Sequence, residues 1–514
     1  GRSVFTPFVF KTSVLGGTSK TCTQHGLTRP DQLVKTCIHG NGPSRPFAQT
    51  LGRVMPPNPV HISNITHADV IAALDELSQS MGVDENTDGP ADAGMTFFGQ
   101  FVDHDITLDA TSALGTRIDP ATIPNVRTPS LDLDCVYGAG PEATPFLYGA
   151  GEAEQFLVHG RKDNPRDLAR TCAGKALIGD PRNDENIIVA QAQSALIELH
   201  NLLMSQRGEG GGEADDIKAC AHDGIDKHIW HDHVSPKLSN FEEVRRFIRL
   251  HYQWMVWCEL LPSFVEQECL DWALADPNPF GWDAPVMPVE FTGAGYRFGH
   301  ATTQFQYALT NGGDPKGLFA LPGFGPRPVD GNIEMAMWFE MNGAVNSQKA
   351  RPVGPKLGLP LLNLPFVHAP IELADIDETL TLDQSRNLAL RNMVRDRYTY
   401  QLASGQQLAA KLGTKPVPVP DILKHKGFAK TPLWFYCLQE AEAQGNGKLT
   451  GAGGKLVASV FANLLRRDPT TFIHMPHFKP WHGFKGQPSV MAGIIAYIEA
   501  NRAHMKHVEE LQCG

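Results

Sequence analysis

Residues 95–109, MTFFGQFVDHDITLD, carry more chemistry than any other stretch of this 514-residue chain. A helix through them puts Gln100, Asp103 and His104 at i, i+3 and i+4, on one face. Asp105 is then turned about 100° away from His104 and looks elsewhere. Phe97, Phe98 and Phe101 surround these polar groups with apolar bulk, whereas a solvated helix would scatter such groups outward. Taken alone, the stretch also fits an ordinary polar helix face that happens to carry one histidine.

Four further segments bear on that choice. GDPRNDEN, residues 179–186, opens the apolar run IIVAQAQSALIELHNLL. Its Arg182 and Glu185 are three apart and can point the same way, and an arginine there would favour negative charge developing in a reaction. TPSLDLDCVYG, residues 128–138, alternates oxygen-bearing residues at Thr128, Ser130, Asp132 and Asp134. Alternate residues of an extended loop can turn several oxygens to one point, as calcium requires; otherwise this is an acidic surface turn. GAGYRFGHATTQF, residues 293–305, sets Arg297 three residues before His300, with Gly299 leaving room beside the ring. LALRNMVRDR holds Asn392 and Arg395 at i, i+3.

Together and in this order, these segments resemble the animal-type haem peroxidases of the peroxidase–cyclooxygenase superfamily, most of all its bacterial branch. The resemblance runs over about residues 61–470 and includes TPLWFYCLQEAE and GGKLVASVFANLLRRDPTTF near its end. It implies haem b and calcium as cofactors. His104 would be the distal general base, Arg182 the catalytic arginine, and Gln100 the group that orients water or a halide. Asp103 and Glu185 would form esters to the haem. His300 would be the proximal iron ligand, its ring N–H accepted by Asn392, with Arg297 and Arg395 on the propionates. Asp105, Thr128, Ser130 (through its backbone carbonyl), Asp132 and Asp134 would hold calcium; Asp134 stands where the family has a serine. Where some mammalian members have a methionine that adds a sulfonium link, this chain has Asn186, which rules out that link and argues against efficient chloride oxidation. The implied activity is reduction of hydrogen peroxide with oxidation of halide or thiocyanate (bromide or iodide rather than chloride) or phenol-like donors through an oxyferryl intermediate.

The rest of the sequence is consistent with this expectation. Apolar residues recur at spacings of three and four in VIAALDELSQSM, IIVAQAQSALIELHNLL, FEEVRRFIRLHYQWMVWCELL and GGKLVASVFANLL, while strand-like alternation is scarce. The expected fold is mainly α: a single large helical domain over residues 61–470 with long loops and few short strands. An irregular extension, residues 1–60, would wrap it, and residues 471–514 would form a C-terminal extension with a terminal helix. Hydrophobic content of 42% and charged content of 20% are ordinary for a globular protein. The net charge of −11, without a long basic run, argues against nucleic acid as a partner. No apolar run reaches the roughly 20 residues of a membrane-spanning helix. The chain begins GRSVFTPF, without a signal-like apolar region, and the compartment and oligomeric state stay open. Cys258 and Cys437 lie in apolar runs and are expected to be buried thiols; Cys22 and Cys37 could pair.

Three rival readings carry less. A fatty-acid dioxygenase of the same superfamily would have its radical tyrosine three residues before the proximal histidine, where this chain has Arg297; Tyr296 is one residue further back. A non-catalytic relative would be expected to lose His104 and Arg182. A zinc enzyme is suggested by His228, His231 and His233, and by His474, His477 and His482, but neither run has an HExxH frame.

Overall fold

The computed structural model describes residues 51–60, 64–108, 114, 129–206, 238, 240–276, 278–321, 323–475 and 478–505. Most of the N-terminal extension, Cys22, Cys37, Thr128, His228, His231, His233 and His477 lie outside the described residues.

Each periodic segment is a helix. The longer ones are α1 (His67–Gln79), α2 (Ala93–Ile106), α3 (Ile187–Gln206), α4 (Phe241–Met255), α5 (Gln267–Ala275), α6 (Leu388–Val394), α7 (Gly405–Leu412), α8 (Leu433–Gln444), α9 (Gly451–Arg467) and α10 (Val490–Asn501). Among the described residues, strands are limited to two pairs. β1 (Gly82–Val83) runs parallel to β2 (Leu357–Gly358), and β3 (Ile371–Leu373) runs antiparallel to β4 (Glu378–Leu380). The mainly-α expectation with few short strands therefore holds.

Local chemistry sets the helix ends. At α1, Thr66 Oγ1 accepts from Asp69 N at 3.1 Å while Asp69 Oδ2 accepts from Thr66 N at 3.1 Å, so two backbone donors are satisfied reciprocally. Ser404 and Gln407 do the same for α7. Packing then joins the helices into one apolar cluster that reaches from Leu51 to Ile498. The close approach of α9 to α5 and α8 depends on two glycines: a Cβ at Gly453 would come within 2.9 Å of the Cys437 sulfur, and one at Gly454 within 2.6 Å of the Cys269 sulfur. Helix α3 is long and apolar, with mean hydropathy 1.2 over residues 187–205, but it is enclosed on nearly all sides and is the interior helix of this fold. Cys437 is buried as expected, whereas Cys258 is exposed. The physical reason is a π-turn, Val256–Leu260, which follows α4; its extra residue per turn rotates Cys258 off the buried face.

Buried carboxylates tie the C-terminal helices to one another. Asp396 accepts from Trp434 N at the start of α8. Glu440, on α8, accepts from Ala452 N and Gly453 N at the start of α9. Glu259 accepts from Met491 N at the start of α10. Each carboxylate meets the positive end of a helix dipole. Burial nevertheless pushes the Glu440 carboxyl up to about 7, from an ordinary value of 4.5. The ionised form is thus less favoured in the folded chain than in the unfolded one. Its contribution to stability is complete below about pH 4.5 and is lost as pH rises through about 7. Glu440→Gln, which keeps an acceptor without the charge, should therefore gain in melting temperature relative to wild type between pH 5 and pH 8. A difference that stays constant across that range would contradict the assignment.

Candidate active site

Segment 179–186 assigns a separate task to nearly every residue. Asp180 accepts from Arg182 N at 2.9 Å, from its Nε at 3.0 Å and from its Nη2 at 2.7 Å. The guanidinium so held donates from Nη2 to His104 O at 3.1 Å and to Thr107 O at 2.9 Å, carbonyls at the C-terminal end of α2. A cation is favourable there, where the helix leaves carbonyls unpaired. Asp184 takes both ends of a buried guanidinium, Arg170 Nη1 at 2.6 Å and Nη2 at 2.8 Å, and Arg170 also pairs with Asp167. Asn186 caps α3, its Oδ1 accepting from Ile188 N at 3.1 Å and Val189 N at 2.9 Å. The position that could have carried a methionine is thus occupied by a helix cap.

Helix α2 faces this segment with the three side chains that its period aligns. Gln100 donates from Nε2 to Glu185 Oε1 and accepts at Oε1 from Asn186 Nδ2 at 3.2 Å, so its carboxamide is fixed at both ends. His104 is buried, and its Nδ1 lies 2.7 Å from Asn183 Oδ1. The Asp103 carboxyl is held above its ordinary range by burial, against the opposing pull of Arg182 and Arg297. Glu185 is pushed up to about 7, again first by burial. Although its surface is accessible, Glu185 has protein on most sides, as expected for a side chain lining a cleft.

Asp105 leaves the opposite side of α2. It forms a cluster with Asp132 and Asp134 in which one oxygen of each lies within 4.8 Å of the others. Its Oδ2 accepts from Leu133 N at 3.2 Å and from Tyr252 Oη at 3.0 Å, while its Oδ1 is buried without a hydrogen-bond partner. Burial, then the charge of Asp132, pushes its carboxyl up to about 7. Among the described residues no other group of acids, histidines or cysteines is arranged for a metal ion. Ser130 donates its hydroxyl to Asp468 Oδ2 at 2.9 Å. Of the second histidine run, His474 Nε2 is spent on the backbone carbonyl of Arg466 at 2.9 Å.

The turn Gly299–Thr302 packs against α2. Two contacts clasp this turn and the one before it, Gly295–Phe298, to the helix: Thr96 Oγ1 meets Thr302 Oγ1 at 2.9 Å, and Tyr296 Oη donates to Gly99 O at 3.0 Å. A Cβ at Gly299 would meet nothing within 4 Å, so the face beside His300 is open. Burial first, then Arg297 and Arg395, pushes the His300 ring down to about 3, which keeps the imidazole neutral. His300 Nδ1 lies 2.9 Å from the Asn392 amide nitrogen, and Asn392 Oδ1 faces Arg395 Nη1 at 3.4 Å. The sequence pairing is present with the amide ends exchanged: the expected acceptor is the oxygen. Rotation about Cβ–Cγ interchanges the ends in the same space, at the cost of turning the amide N–H rather than its oxygen toward Arg395 Nη1. Arg297 donates from Nε to Thr292 O at 2.8 Å.

No protein-family model and no curated protein matches the chain. Solved structures do, two of them as follows. Peroxidase A from Dictyostelium discoideum superimposes with a TM-score of 0.51 at 14% identity, covering 91% of this chain and 96% of its own. A fatty acid alpha-dioxygenase from Arabidopsis thaliana gives 0.54 at 13% identity, covering 90% of this chain and 77% of its own. At 13–14% identity the likeness is one of fold: this chain shares the mainly helical architecture of both.

Several residues of the site were not singled out from sequence. Asn183 and Gln193 stand behind His104, Asp180 holds Arg182, and Tyr252 holds Asp105. Asn183, Gln193 and Tyr252 have no spacing signal, because each reaches a residue of another element; Asp180 acts within its own turn, two residues before Arg182. Arg391 is different. It precedes Arg395 by one helical turn, and Arg297 is close enough to lower its pKa after burial does. The i, i+4 spacing of Arg391 and Arg395 could have flagged it.

Proposed function

We propose that the chain is a haem peroxidase, which reduces hydrogen peroxide and oxidises halide or thiocyanate (bromide or iodide rather than chloride) or phenol-like donors. One observation carries this reading: His104 and His300 come from two elements clasped together, each ring held by an asparagine amide, with Asp103, Glu185, Arg297 and Arg395 around the same cleft. The donor set fits haem b. A neutral imidazole suits ferric or ferrous iron, the open face at Gly299 suits a flat macrocycle, and the arginines suit its carboxylates. The orphaned Asp105 Oδ1 beside two further carboxylates fits calcium.

In this proposal His300 would ligate the haem iron, oriented by Asn392, and Arg297 and Arg395 would bind the propionates. Asp103 and Glu185 are the ester-forming carboxyls; burial keeps both closer to their protonated forms than free carboxylates. Asp105, Asp132 and Asp134 hold calcium, together with the backbone carbonyl of Ser130 and with Thr128. Haem iron supplies the oxidising capacity that passes from peroxide to the donor. His104 takes the proton of the bound peroxide and returns it to the departing oxygen. The Arg182 guanidinium, fixed beside the His104 carbonyl, favours the negative charge that develops on that oxygen. Gln100, fixed by Glu185 and Asn186, orients water or a halide.

The fold is shared with a dioxygenase, so that activity is the alternative. Two features favour the peroxidase: Arg297 stands three residues before His300, and the Tyr296 hydroxyl is engaged by Gly99 O. The test is an absorption spectrum of the purified chain before and after one equivalent of hydrogen peroxide. A Soret band that shifts within milliseconds and returns on adding bromide, iodide or a phenol is expected. A haem-replete spectrum that ignores peroxide, from a chain that consumes oxygen with a fatty acid, would replace this reading with the dioxygenase.

A further inference from the structure

Behind His104 runs a chain of amides that ends on a backbone carbonyl, and its direction is fixed by that end. Gln193 Nε2 donates to Cys135 O at 3.1 Å. A backbone carbonyl can only accept, so the Gln193 amide cannot be turned round without setting oxygen against oxygen. Its Oε1 is therefore the end that faces Asn183, and Asn183 Nδ2 donates to it at 2.8 Å. This fixes Asn183 in turn. Its Oδ1 faces His104 Nδ1 at 2.7 Å, so Nδ1 must carry the hydrogen. In the neutral ring the proton-accepting nitrogen is then Nε2. Asn183 and Gln193 are both fully buried, and water does not compete for these bonds.

We infer that Asn183 and Gln193 are positioning residues that lock His104 in the Nδ1–H tautomer, making Nε2 the base. The inference rests on the proposed role of His104. Gln193 sits on α3 and touches His104 only through Asn183, while its anchor, Cys135, adjoins Asp134 of the acidic cluster. The tautomer of the base is thus dictated two residues away, from the loop that the cation would hold. Orientation by a third group is how a base is kept in the productive form, and the wrong tautomer abolishes that use of the ring.

The test is 15N NMR of the full-length, 15N-histidine-labelled chain, held in the diamagnetic ferrous carbon monoxide form where it carries haem. The His104 signals are assigned by their loss in His104→Ala. Wild type is expected to show a protonated Nδ1 and a bare Nε2. Gln193→Met fills nearly the same space but cannot anchor Asn183. It should let the amide turn, with the Nδ1–H population falling to about half or less. Asn183→Asp, an acceptor only, should retain the wild-type tautomer. If a variant does not fold, the other two chains still decide the matter. A wild-type ring protonated on Nε2, or a Gln193→Met chain of native fold with its tautomer unchanged, would overturn the inference. The measurement uses no peroxide. A locked Nδ1–H ring in a chain inert to peroxide would therefore refute the peroxidase reading alone, while an unlocked ring in a working peroxidase would refute the relay alone.

Discussion

His104→Ala should slow the reaction with hydrogen peroxide by about a hundred- to ten-thousandfold, the usual range for removing a positioned general base. At about 1.4 kcal/mol per tenfold, this is a barrier increase of about 3–5 kcal/mol. The fold should survive the change. Alanine is the best helix former, and α2 is held by Phe97, Phe98 and Phe101 and by its contacts with Tyr296 and Thr302 rather than by the imidazole. What is lost structurally is one partner of Asn183, whose Oδ1 becomes a buried acceptor left unsatisfied, at a cost of about 1–3 kcal/mol. Haem content should be unchanged, since His104 is not among the groups proposed to hold it. Stopped-flow absorbance against peroxide concentration measures the rate, and a rate equal to that of wild type would end the assignment of His104 as the base.

Stripping calcium is the second large effect expected. Asp105, Asp132 and Asp134 bring three carboxylates together in a largely buried setting, where like charges are costly without a cation. With free calcium at about a hundred times its dissociation constant, binding contributes about 2.7 kcal/mol to the folded state. For a chain of this length, that corresponds to a melting temperature about 3 °C higher. A chelator should therefore lower the melting temperature by that amount and added calcium should restore it. Magnesium should substitute poorly, because it demands a tighter octahedron. Asp105→Ala should be insensitive to both. Because Asp105 adjoins His104 on α2, chelation should also reduce the peroxide rate. Equal melting temperatures with chelator and with calcium would show that the three acids hold no ion.

How much of this was legible in the chain follows from how far each interaction reaches. The helix period alone put Gln100, Asp103 and His104 on one face and turned Asp105 away, and the structure has those three toward segment 179–186 and Asp105 toward Asp132 and Asp134. The pairings of His300 with Asn392 and of Gln100 with Glu185 join residues 92 and 85 positions apart. No periodicity reaches so far: only the resemblance of the motifs suggested the first, and the second was not expected. What holds Arg182 was not legible: Asp180, two residues before it, and the carbonyls of His104 and Thr107 at the end of α2 fix its guanidinium. Cys258 was misjudged for a local reason, because a π-turn changes which face a residue takes and leaves no mark in an apolar pattern. The tasks of Asn183 and Gln193 depend on a carbonyl at Cys135 and could be read only with the elements in place.

The two contacts that clasp the cleft both lie in the first half of α2, at Thr96 and Gly99, while the reactive side chains begin at Gln100. The walls are therefore joined like the covers of a book, bound along one spine. If these walls part, the opening would pivot on Thr302 and Tyr296 and be widest toward His104. On the proposed peroxidase reading, small anions and single-ring donors would then exchange without the spine parting, whereas a bulky donor would need the hinge itself to break.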